Sequence, residues 1–400
     1  MSIGIGRGAR TLREAQDMAE HALDMAQGRG GDQAAEMTLD GFTFYGGVSH
    51  GVEKRSKVRS RLVADQLVKL IKEADHVVIM GHRMSDLDAI GAAEGVLRIC
   101  KICDVPAVIA VRRDATLAAS LIDALCKAGQ KDDFIDPKDA LPIISKRTLC
   151  IVVDTYQAGL VESKDILEKC GKVAVIDHHR KGVGYIENPA LVCHEPYSSS
   201  ASELVTELLQ YVGERDDKPN RVEAEGLLAG ILLDTQDFTL HTGVRTFEAA
   251  AALRRYGAET ERVRRLFDVT MVEYNAKADL VEKAQMYKNC AISIGGEVAP
   301  EARVAIAQAA NDLLRIQGVD ASFVAVQVGN GVNVSARSMG AVNVQVIMES
   351  LGGGGHQTMA AAQLKHITPQ AARSRIQDAI DQYYLSQKKT TPEARPAKGE

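Results

Sequence analysis

Acidic and imidazole side chains follow three separate apolar runs of the chain, an arrangement typical of metal ligands. The apolar runs cover 77–80, 150–153 and 173–176. The residues that follow them are, in order, His82, Asp86 and Asp88; Asp154; and Asp177, His178 and His179. Short apolar runs of this kind are typical of buried strands. Because ligands of an open parallel sheet bind beyond the carboxyl ends of its strands, we expect these side chains to converge there.

Two of the acidic residues, Asp88 and Asp234, need separate consideration. Asp88 has an alternative role as the N-cap of a helix predicted from Ala89 to Cys103, with Asp86 in the preceding turn. Asp234 closes the apolar run 226–233, and at the end of a helix its charge would be disfavoured by roughly 0.3–1 kcal/mol. An acid kept at that position indicates a nearby cation.

The charges of these residues favour a pair of divalent ions. Asp86, Asp88, Asp154 and Asp234 would bring four negative charges into one crevice, and their repulsion would favour protonation unless cations compensated it. Two divalent ions balance four carboxylates. Imidazole ligands argue for a transition ion over Mg²⁺, and the majority of oxygen ligands argues against a closed zinc site. Mn²⁺ fits this mixture best, and Fe²⁺ or Co²⁺ would also suit it.

Together with a downstream segment, these motifs resemble the DHH phosphoesterase superfamily. The Asp-His-His of 177–179 is preceded by Gly-His-x-x-x-Asp-x-Asp at 81–88. Segment 335–356, which ends in four glycines and His356, is similar to the companion DHHA1 domain. The order and spacing most resemble GdpP-type cyclic-di-AMP phosphodiesterases, and the resemblance covers nearly the whole chain.

The resemblance implies two metal sites with a shared ligand. One ion would be held by His82, Asp86 and Asp154, and the other by Asp88, Asp154, His178 and Asp234. It also implies that Asp177 orients a neighbouring histidine and that His179 contacts the phosphate. Two ions roughly 3.5–4 Å apart activate water and clamp the attacked phosphate for in-line displacement.

Substrate contacts are expected mainly from the second domain. The resemblance assigns them to Arg337, Gly353, Gly354, Gly355 and His356; glycines let a ligand approach the backbone closely. The serine-rich segment 197–203 opens a predicted helix, and Ser200 either caps that helix or contacts a phosphate together with its first amides. Tyr156 and Gln157 stand where relatives usually have histidine and a basic residue. The substrate contact or proton transfer of that histidine is therefore not carried over to this chain.

The predicted fold is α/β. Apolar strand patterns alternate with helical ones near 88–103, 115–128 and 159–169, which predicts a parallel sheet flanked by helices, followed by a smaller α/β domain. The predicted order is a remnant of a degenerate GGDEF-like domain (1–37), a connector (38–57), a DHH domain (58–270), a linker helix (271–288), a DHHA1 domain (289–385) and a disordered tail (386–400). On this interpretation the chain is the C-terminal, cytoplasmic part of a longer membrane-anchored protein, unless Met1 is a natural start.

Composition narrows the class of partner. A net charge of −5 gives no basic footprint for long nucleic acid, and a small anionic ligand remains compatible. No apolar run approaches the roughly 18 residues of a membrane helix, so we expect no membrane contact by this chain itself. Seven cysteines scattered along the chain suit a reducing cytoplasm. A homodimer is compatible with the sequence.

The sequence therefore predicts a manganese-dependent phosphodiesterase that opens cyclic-di-AMP to pApA. One alternative within enzymes is an oligoribonuclease or phosphatase acting on short linear nucleotides, since the same ligand set serves both. The GGDEF-like remnant and the Phe44-Tyr45 connector favour the cyclic substrate. A second alternative is a nucleotide-sensing module, which would not need all six metal ligands.

Overall fold

The computed structural model describes residues 1–28, 33–39, 41–46, 57–179, 184–214, 217–297, 304–355 and 357–390. Two compact units make up the chain, Met1–Phe267 and Asp268–Glu400. His356, most of the predicted connector and residues 391–400 lie outside the described residues. Within the described part of the chain, no helix has the length and apolarity needed to cross a membrane.

The first unit begins with a small three-stranded sheet. Its strands β1 (Ile3–Gly6), β2 (Gln33–Thr38) and β3 (Gly41–Gly46) lie in that order, and helix α1 (Leu12–Gly28) connects the parallel pair β1 and β2. Gly4 lets the helix approach the sheet, because a Cβ at that position would overlap the backbone of Ala19. Ala22, Ala26 and Ala35 form the small core between them.

A six-stranded parallel sheet forms the centre of the first unit. Its strand order is β6-β5-β4-β7-β8-β9, and every pairing is parallel. The strands are β4 (His76–Met80), β5 (Ala107–Ala110), β6 (Phe134–Ile135), β7 (Thr148–Val153), β8 (Lys172–Asp177) and β9 (Leu191–His194). The three strands predicted to end in site residues, β4, β7 and β8, are the adjacent central ones. The predicted α/β class with a parallel sheet is confirmed.

Nine helices among the described residues of this unit, after α1, surround the sheet. They are α2 (Lys57–Glu73), α3 (Leu87–Ile102), α4 (Ala119–Lys127), α5 (Pro137–Ala140), α6 (Lys164–Lys169), α7 (Ala201–Leu209), α8 (Arg221–Thr235), α9 (Val244–Arg255) and α10 (Thr260–Arg265). Helices α3, α7 and α8 pack into the larger core on one face, with Ile79, Ile151 and Ile176 of the sheet. A smaller core covers the other face around Val78, Cys150 and Val175.

The second unit is a six-stranded mixed sheet with four helices among its described residues. The strand order is β10-β11-β12-β13-β15-β14, with β11 and β12 parallel. The elements are α11 (Met271–Glu282), β10 (Gln285–Tyr287), β11 (Cys290–Glu297), α12 (Val304–Leu313), β12 (Ala321–Val328), β13 (Gly331–Ser338), α13 (Val344–Ser350), β14 (Gly354–Gly355), β15 (Met359–Lys365) and α14 (Pro369–Thr390).

Two predicted boundaries in this region need correction. The helix predicted over 271–288 ends at Glu282, because 285–287 form β10 and pair antiparallel with β11. Lys288, with φ of 53°, makes the tight turn of that hairpin. The tail predicted as disordered from Ser386 is helical as far as Thr390, since α14 continues through it.

Candidate metal centre

Asp86 and Asp88 stand at the start of α3, and Asp86 is the residue that caps the helix. Its Oδ1 accepts hydrogen bonds from the amides of Asp88 (3.0 Å) and Ala89 (3.1 Å). The alternative role of Asp88 as the N-cap is therefore wrong. Asp88 instead lies inside the first turn and is fully buried.

His82 is held in the loop between β4 and α3. Its Nδ1 lies 2.8 Å from the carbonyl oxygen of Arg83, which can only accept, so Nδ1 carries a proton and Nε2 is the ring nitrogen left to face the carboxylates or to bind an ion. That Nε2 lies 3.4 Å from Oδ2 of Asp154 and 3.8 Å from Oδ1 of Asp86. The loop is braced by a bridge between His82 and Val161.

Asp154 follows β7 and stands at the middle of the cluster. Its side chain is 3% exposed, and its backbone has φ of 57°, a left-handed conformation that costs energy for a residue other than glycine. The amide of Asp154 donates to the carbonyl of Ile176 on the neighbouring strand (2.9 Å), which helps to hold this conformation. Strain of this kind concentrates at functional sites.

His178 connects Asp154 to the remaining acids. Its Nε2 lies 3.0 Å from Oδ2 of Asp234, 3.4 Å from Oδ1 of Asp154 and 4.0 Å from Oδ2 of Asp88. Asp234 reaches this point from the last turn of α8. The side chains thus converge at the carboxyl edge of the sheet.

The described residues contain three groups of donor atoms that lie within 4.8 Å of one another, and all three share Asp154. They are His82, Asp86 and Asp154; Asp88, Asp154, His178 and Asp234; and Asp154, His178 and His179. The first two have the membership that the resemblance implied. The third adds His179 to the surroundings of Asp154.

Two buried atoms of this cluster have unmet hydrogen-bonding capacity. Oδ1 of Asp154 and Nε2 of His178 have no hydrogen-bond partner of acceptable geometry within the described part of the chain. Buried polar atoms without partners are costly, so native structures rarely leave them. A lone pair on carboxylate and imidazole is what a divalent transition ion binds, and the donor set therefore fits a metal pair.

The electrostatics of the pocket also call for positive charge. Burial would lower the pKa of His82, but hydrogen bonds to Asp154 and Asp86 outweigh it and raise that pKa to about 11. Burial would also lower the pKa of His178, but the negative charges of Asp154 and Asp234, at 3.4 and 3.0 Å from its Nε2, outweigh burial and raise that pKa. Burial and neighbouring carboxylates raise the pKa of Asp88 and of Asp234. Without metal ions, these histidines and aspartates would therefore bind protons to balance the negative charge of the pocket.

Asp177 is fully buried beneath the cluster and orients His179. Its Oδ1 accepts from the backbone amide of His179 (3.2 Å) and from ring Nδ1 (2.9 Å). The carbonyl of His179 in turn accepts from Nε2 of His194 (2.6 Å). Both the backbone and the ring of His179 are therefore fixed. Ring Nδ1 lies 3.5 Å from Oδ1 of Asp154.

Ser200, predicted as either a cap or a phosphate contact, is placed as a cap. It is fully buried, and its hydroxyl accepts from the amide of Glu203 (3.0 Å). The next two amides, of Ala201 and Ser202, bind the carboxylate of Asp88. Because an aspartate already occupies this helix terminus, the phosphate contact of Ser200 is not supported.

In the second unit, Arg337 on β13 is partly buried, and the Nε atom of its guanidinium group is fully enclosed. It donates to Oγ of Ser335 (3.1 Å) and to the carbonyl of Ala336 (2.9 Å), while its Nε has no partner among the described residues. Burial lowers the pKa of Arg337 to about 10, and no carboxylate among the described residues opposes this shift. A buried cation without a counter-charge is suited to an anionic ligand.

The predicted glycines lie near Arg337 in the sheet. Gly354 and Gly355 form β14, and Gly355 pairs with Ala360, which pairs with Ala336. A Cβ at Gly353 would overlap the carbonyl of Ala361, and Gly355 has φ of 147°. Gly353 and Gly355 are thus required by the backbone, and β14 is separated from β13, the strand of Arg337, by β15.

Sequence reasoning missed the residues that surround Asp88. These are Ala201 and Ser202, whose amides bind its carboxylate, and Gly230, which lets α8 approach it. Two features of the sequence pointed to these residues: glycines inside an apolar helical pattern, and a run of serines just before a second predicted helix. The edge strands β6 and β9 and the alanine-rich β15 were not predicted either.

Three protein-family models match successive parts of the chain. The model of the DHH family, N-terminal domain, matches residues 76–231, and the DHHA1 domain model matches 299–385. Residues 1–40 match a model described as the GGDEF domain of cyclic-di-AMP phosphodiesterase GdpP-like proteins.

Two curated relatives and one solved structure are similar to the chain. A protein named cyclic-di-AMP phosphodiesterase GdpP, from Geobacillus thermodenitrificans, is 45% identical over 390 residues, which are 96% of this chain and 59% of that protein. A bifunctional oligoribonuclease and PAP phosphatase NrnA from Thermus thermophilus is 27% identical over 341 residues, 82% of this chain and 95% of that protein. An exopolyphosphatase-related protein from Bacteroides fragilis shares the fold at a TM-score of 0.70 and 19% identity, covering 82% and 98% of the two chains.

Proposed function

The chain belongs to the DHH family, with a DHH domain followed by a DHHA1 domain, and from that premise we propose that it hydrolyses cyclic-di-AMP to pApA. The observation that carries this proposal is the convergence of two groups of donor atoms on Asp154, in a chain 45% identical to a protein named for that reaction. The chain spans about 59% of that relative's length, so the activity is inferred for this part of such a protein.

The proposed cofactor is a pair of Mn²⁺ ions. His82, Asp86 and Asp154 would hold one, and Asp88, Asp154, His178 and Asp234 the other. Mixed imidazole and carboxylate donors favour Mn²⁺, Fe²⁺ or Co²⁺ over Mg²⁺. When bound, such a pair lowers the pKa of bound water and stabilises charge on the attacked phosphate.

The protein's own side chains orient the reacting groups. Asp177 fixes His179 through both its amide and its ring, so that His179 is held ready to donate a hydrogen bond to a phosphate oxygen. The pKa of His179 is raised because Asp177 and Asp154 together outweigh burial and the neighbouring His178. A protonated imidazole at this position would stabilise negative charge on the phosphate.

Arg337 is proposed to bind the substrate through its buried, uncompensated charge. A nucleotide phosphate would supply the anion that the described surroundings of the guanidinium do not. Gly353 to Gly355 and His356 remain the proposed neighbouring contacts, with the glycine backbone approaching the nucleotide.

Tyr156 does not replace the histidine found in many relatives. It is 6% exposed, and its ring packs between Tyr185 and His194 at centroid distances of 5.8 and 5.6 Å. Burial raises the pKa of Tyr156 to about 12, so the phenol stays protonated at neutral pH. We therefore assign it packing at the rim of the site rather than proton transfer.

The rest of the chain suggests its place in a longer protein. Because residues 1–40 match a GGDEF domain model, we propose that 1–37 are the end of such a domain and that 38–57 connect it to the phosphoesterase. The full-length protein would be membrane-anchored with this part in the cytoplasm, and a homodimer would be compatible with it.

The second candidate is hydrolysis of short linear nucleotides, favoured by similarity to the Thermus oligoribonuclease. A cyclic dinucleotide has no free end, so an enzyme that opens it must accept an internal phosphate. Opening the ring converts one phosphodiester, of charge −1, into a terminal phosphomonoester of about −1.5 to −2 at pH 7, so pApA gains up to about one negative charge. It is also far more flexible. Both changes alter how it lies over the metal pair.

A chromatographic time course with Mn²⁺ separates the two candidates, using cyclic-di-AMP, cyclic-di-GMP and pApA in parallel. We expect rapid loss of cyclic-di-AMP and accumulation of pApA, with slow or no formation of AMP. Consumption of pApA faster than cyclic-di-AMP, or AMP without a pApA phase, would show that linear nucleotides are the substrates. Chelation should abolish turnover, and Mn²⁺ should restore it better than Mg²⁺.

A further inference from the structure

The carboxylate of Asp88 is enclosed by the first turn of α7. Its Oδ2 accepts from the amide of Ala201 (2.7 Å) and its Oδ1 from the amide of Ser202 (2.8 Å). Both oxygens are therefore fixed by backbone groups from a helix 113 residues further along the chain. Such bonds hold the carboxylate in one orientation, with Oδ2 at 4.0 Å from Nε2 of His178.

Ser202 makes a second contact with the same aspartate. Its hydroxyl donates to the backbone carbonyl of Asp88 at 3.3 Å, and the residue is fully buried. The side chain of Ser202 thus ties the start of α3 to the start of α7. Gly230 leaves room for this hydroxyl, because a Cβ at Gly230 would overlap Oγ of Ser202.

Gly230 brings α8 against Asp88 from the opposite side. A Cβ at this position would lie 2.6 Å from Oδ1 of Asp88 and 2.8 Å from its Cα. Cβ atoms do not approach backbone that closely, so a side chain here would displace the aspartate or the helix. Asp234 lies one turn further along α8 and belongs to the same group of donor atoms.

The α7 terminus is itself kept rigid by a buried glutamate. Glu203 is 1% exposed, and its carboxylate accepts from the hydroxyls of Ser198 (2.9 Å) and Ser199 (2.5 Å) and from the amide of Ser199 (3.2 Å). Ser198 and Ser199 of the serine-rich segment 197–203 thus have a role that does not involve substrate. They stabilise the turn from which two amides bind Asp88.

We propose that Ser202 and Gly230 are positioning residues, which fix Asp88 as a ligand of the ion it would share with Asp154, His178 and Asp234. The inference rests on the proposed metal centre. On this proposal, Ser202 and Gly230 support metal binding by holding Asp88 in place, and neither residue contacts the ion directly. The other group of donor atoms, His82, Asp86 and Asp154, contains neither Asp88 nor Asp234, so we expect it still to bind one ion.

The test is direct titration of the full chain with Mn²⁺ alone, following free Mn²⁺ by electron paramagnetic resonance. We expect two Mn²⁺ per chain in the parent and one in Gly230→Ala. Gly226→Ala is the matched control on the same helix, since its Cβ would meet only side-chain carbons of Leu121, at 3.0 Å or more. It should retain two ions.

Ser202→Ala tests the same role without adding bulk. It keeps the amide that binds Asp88 and removes the hydroxyl, so we expect both ions to bind but one of them about tenfold more weakly, as is typical of lost outer-shell contacts. Circular dichroism of each variant shows whether it folds. If Gly230→Ala does not fold, Ser202→Ala decides the proposal.

The possible results separate this inference from the proposed function. Two ions bound with parental affinity in both Gly230→Ala and Ser202→Ala would overturn the positioning role and leave the metal centre intact. A parent that binds no Mn²⁺ would overturn the metal centre itself. Neither result depends on whether cyclic-di-AMP is the substrate, because no nucleotide is present.

Discussion

Replacing Arg337 by methionine should make the protein more stable while weakening substrate binding. Burial lowers the pKa of Arg337 to about 10 from its usual 12.5, which shows that the folded protein disfavours the charged form. Each pKa unit is worth about 1.4 kcal/mol, so burial of this charge costs roughly 3.5 kcal/mol at most. The cost is present at every pH below 10, where the guanidinium is charged in both the folded and the unfolded state.

Methionine keeps an apolar stem of similar length and removes the charge. Replacement of buried charges by apolar groups is often stabilising by about 1–4 kcal/mol, and we expect about 1–3 kcal/mol for Arg337→Met. For domains of this size that corresponds to a rise in Tm of roughly 3 °C or more. The same change should weaken cyclic-di-AMP binding by roughly 1–3 kcal/mol, the value of a hydrogen bond to a charged group.

Differential scanning fluorimetry without nucleotide measures the first effect, and KM for cyclic-di-AMP the second. Arg315→Met is the control, because Arg315 lies in the same unit on an exposed surface. It should change neither quantity. A lower Tm together with an unchanged KM in Arg337→Met would refute the reasoning, since Arg337 would then be a structural residue stabilised by its surroundings.

Two further predictions concern the first unit. Burial and the neighbouring Glu223 raise the pKa of Glu94 to about 8. The stability that the protonated Glu94 side chain contributes is therefore fully present below about pH 4.5, where this group is also protonated in the unfolded chain. It is lost as the pH rises through 8. Glu94→Gln should therefore raise Tm at pH 9 and change it little at pH 4.5; equal shifts at both pH values would contradict this. Asp177→Asn should reduce kcat by roughly tenfold or more with both Mn²⁺ ions retained, because it removes the negative charge that raises the pKa of His179; loss of Mn²⁺ in that variant would instead make Asp177 part of the metal site.

The convergence of the site residues was predictable because it follows from strand order. Apolar runs that end in acids or imidazoles lie side by side once the sheet is parallel, and β4, β7 and β8 are neighbours. The contribution of Asp234 was also readable, since an acid at the end of an apolar helix has an electrostatic cost that a cation removes.

Other features depended on contacts that a local pattern does not contain. Asp86, rather than Asp88, caps α3, and only the three-dimensional structure shows that Asp88 binds amides of a helix more than a hundred residues away. The helix predicted over 271–288 extended too far because its last residues also suit a strand, and pairing with β11 decides between the two. Strand β15 was hidden by alanines, which favour helix when tertiary contacts are ignored.

The central claim is that Asp154 joins two metal sites, and Mn²⁺ titration of Asp154→Asn in the full chain tests it most directly. Both groups of donor atoms contain Asp154, and its Oδ1 and Oδ2 face His178 and His82 respectively. Asp133→Asn, which changes an acid paired with Lys101 outside the cluster, is the control. We predict that the parent and Asp133→Asn bind two Mn²⁺ and turn over cyclic-di-AMP, while Asp154→Asn binds both ions at least tenfold more weakly and is inactive. Two ions bound with parental affinity and near-normal turnover in Asp154→Asn would contradict the account.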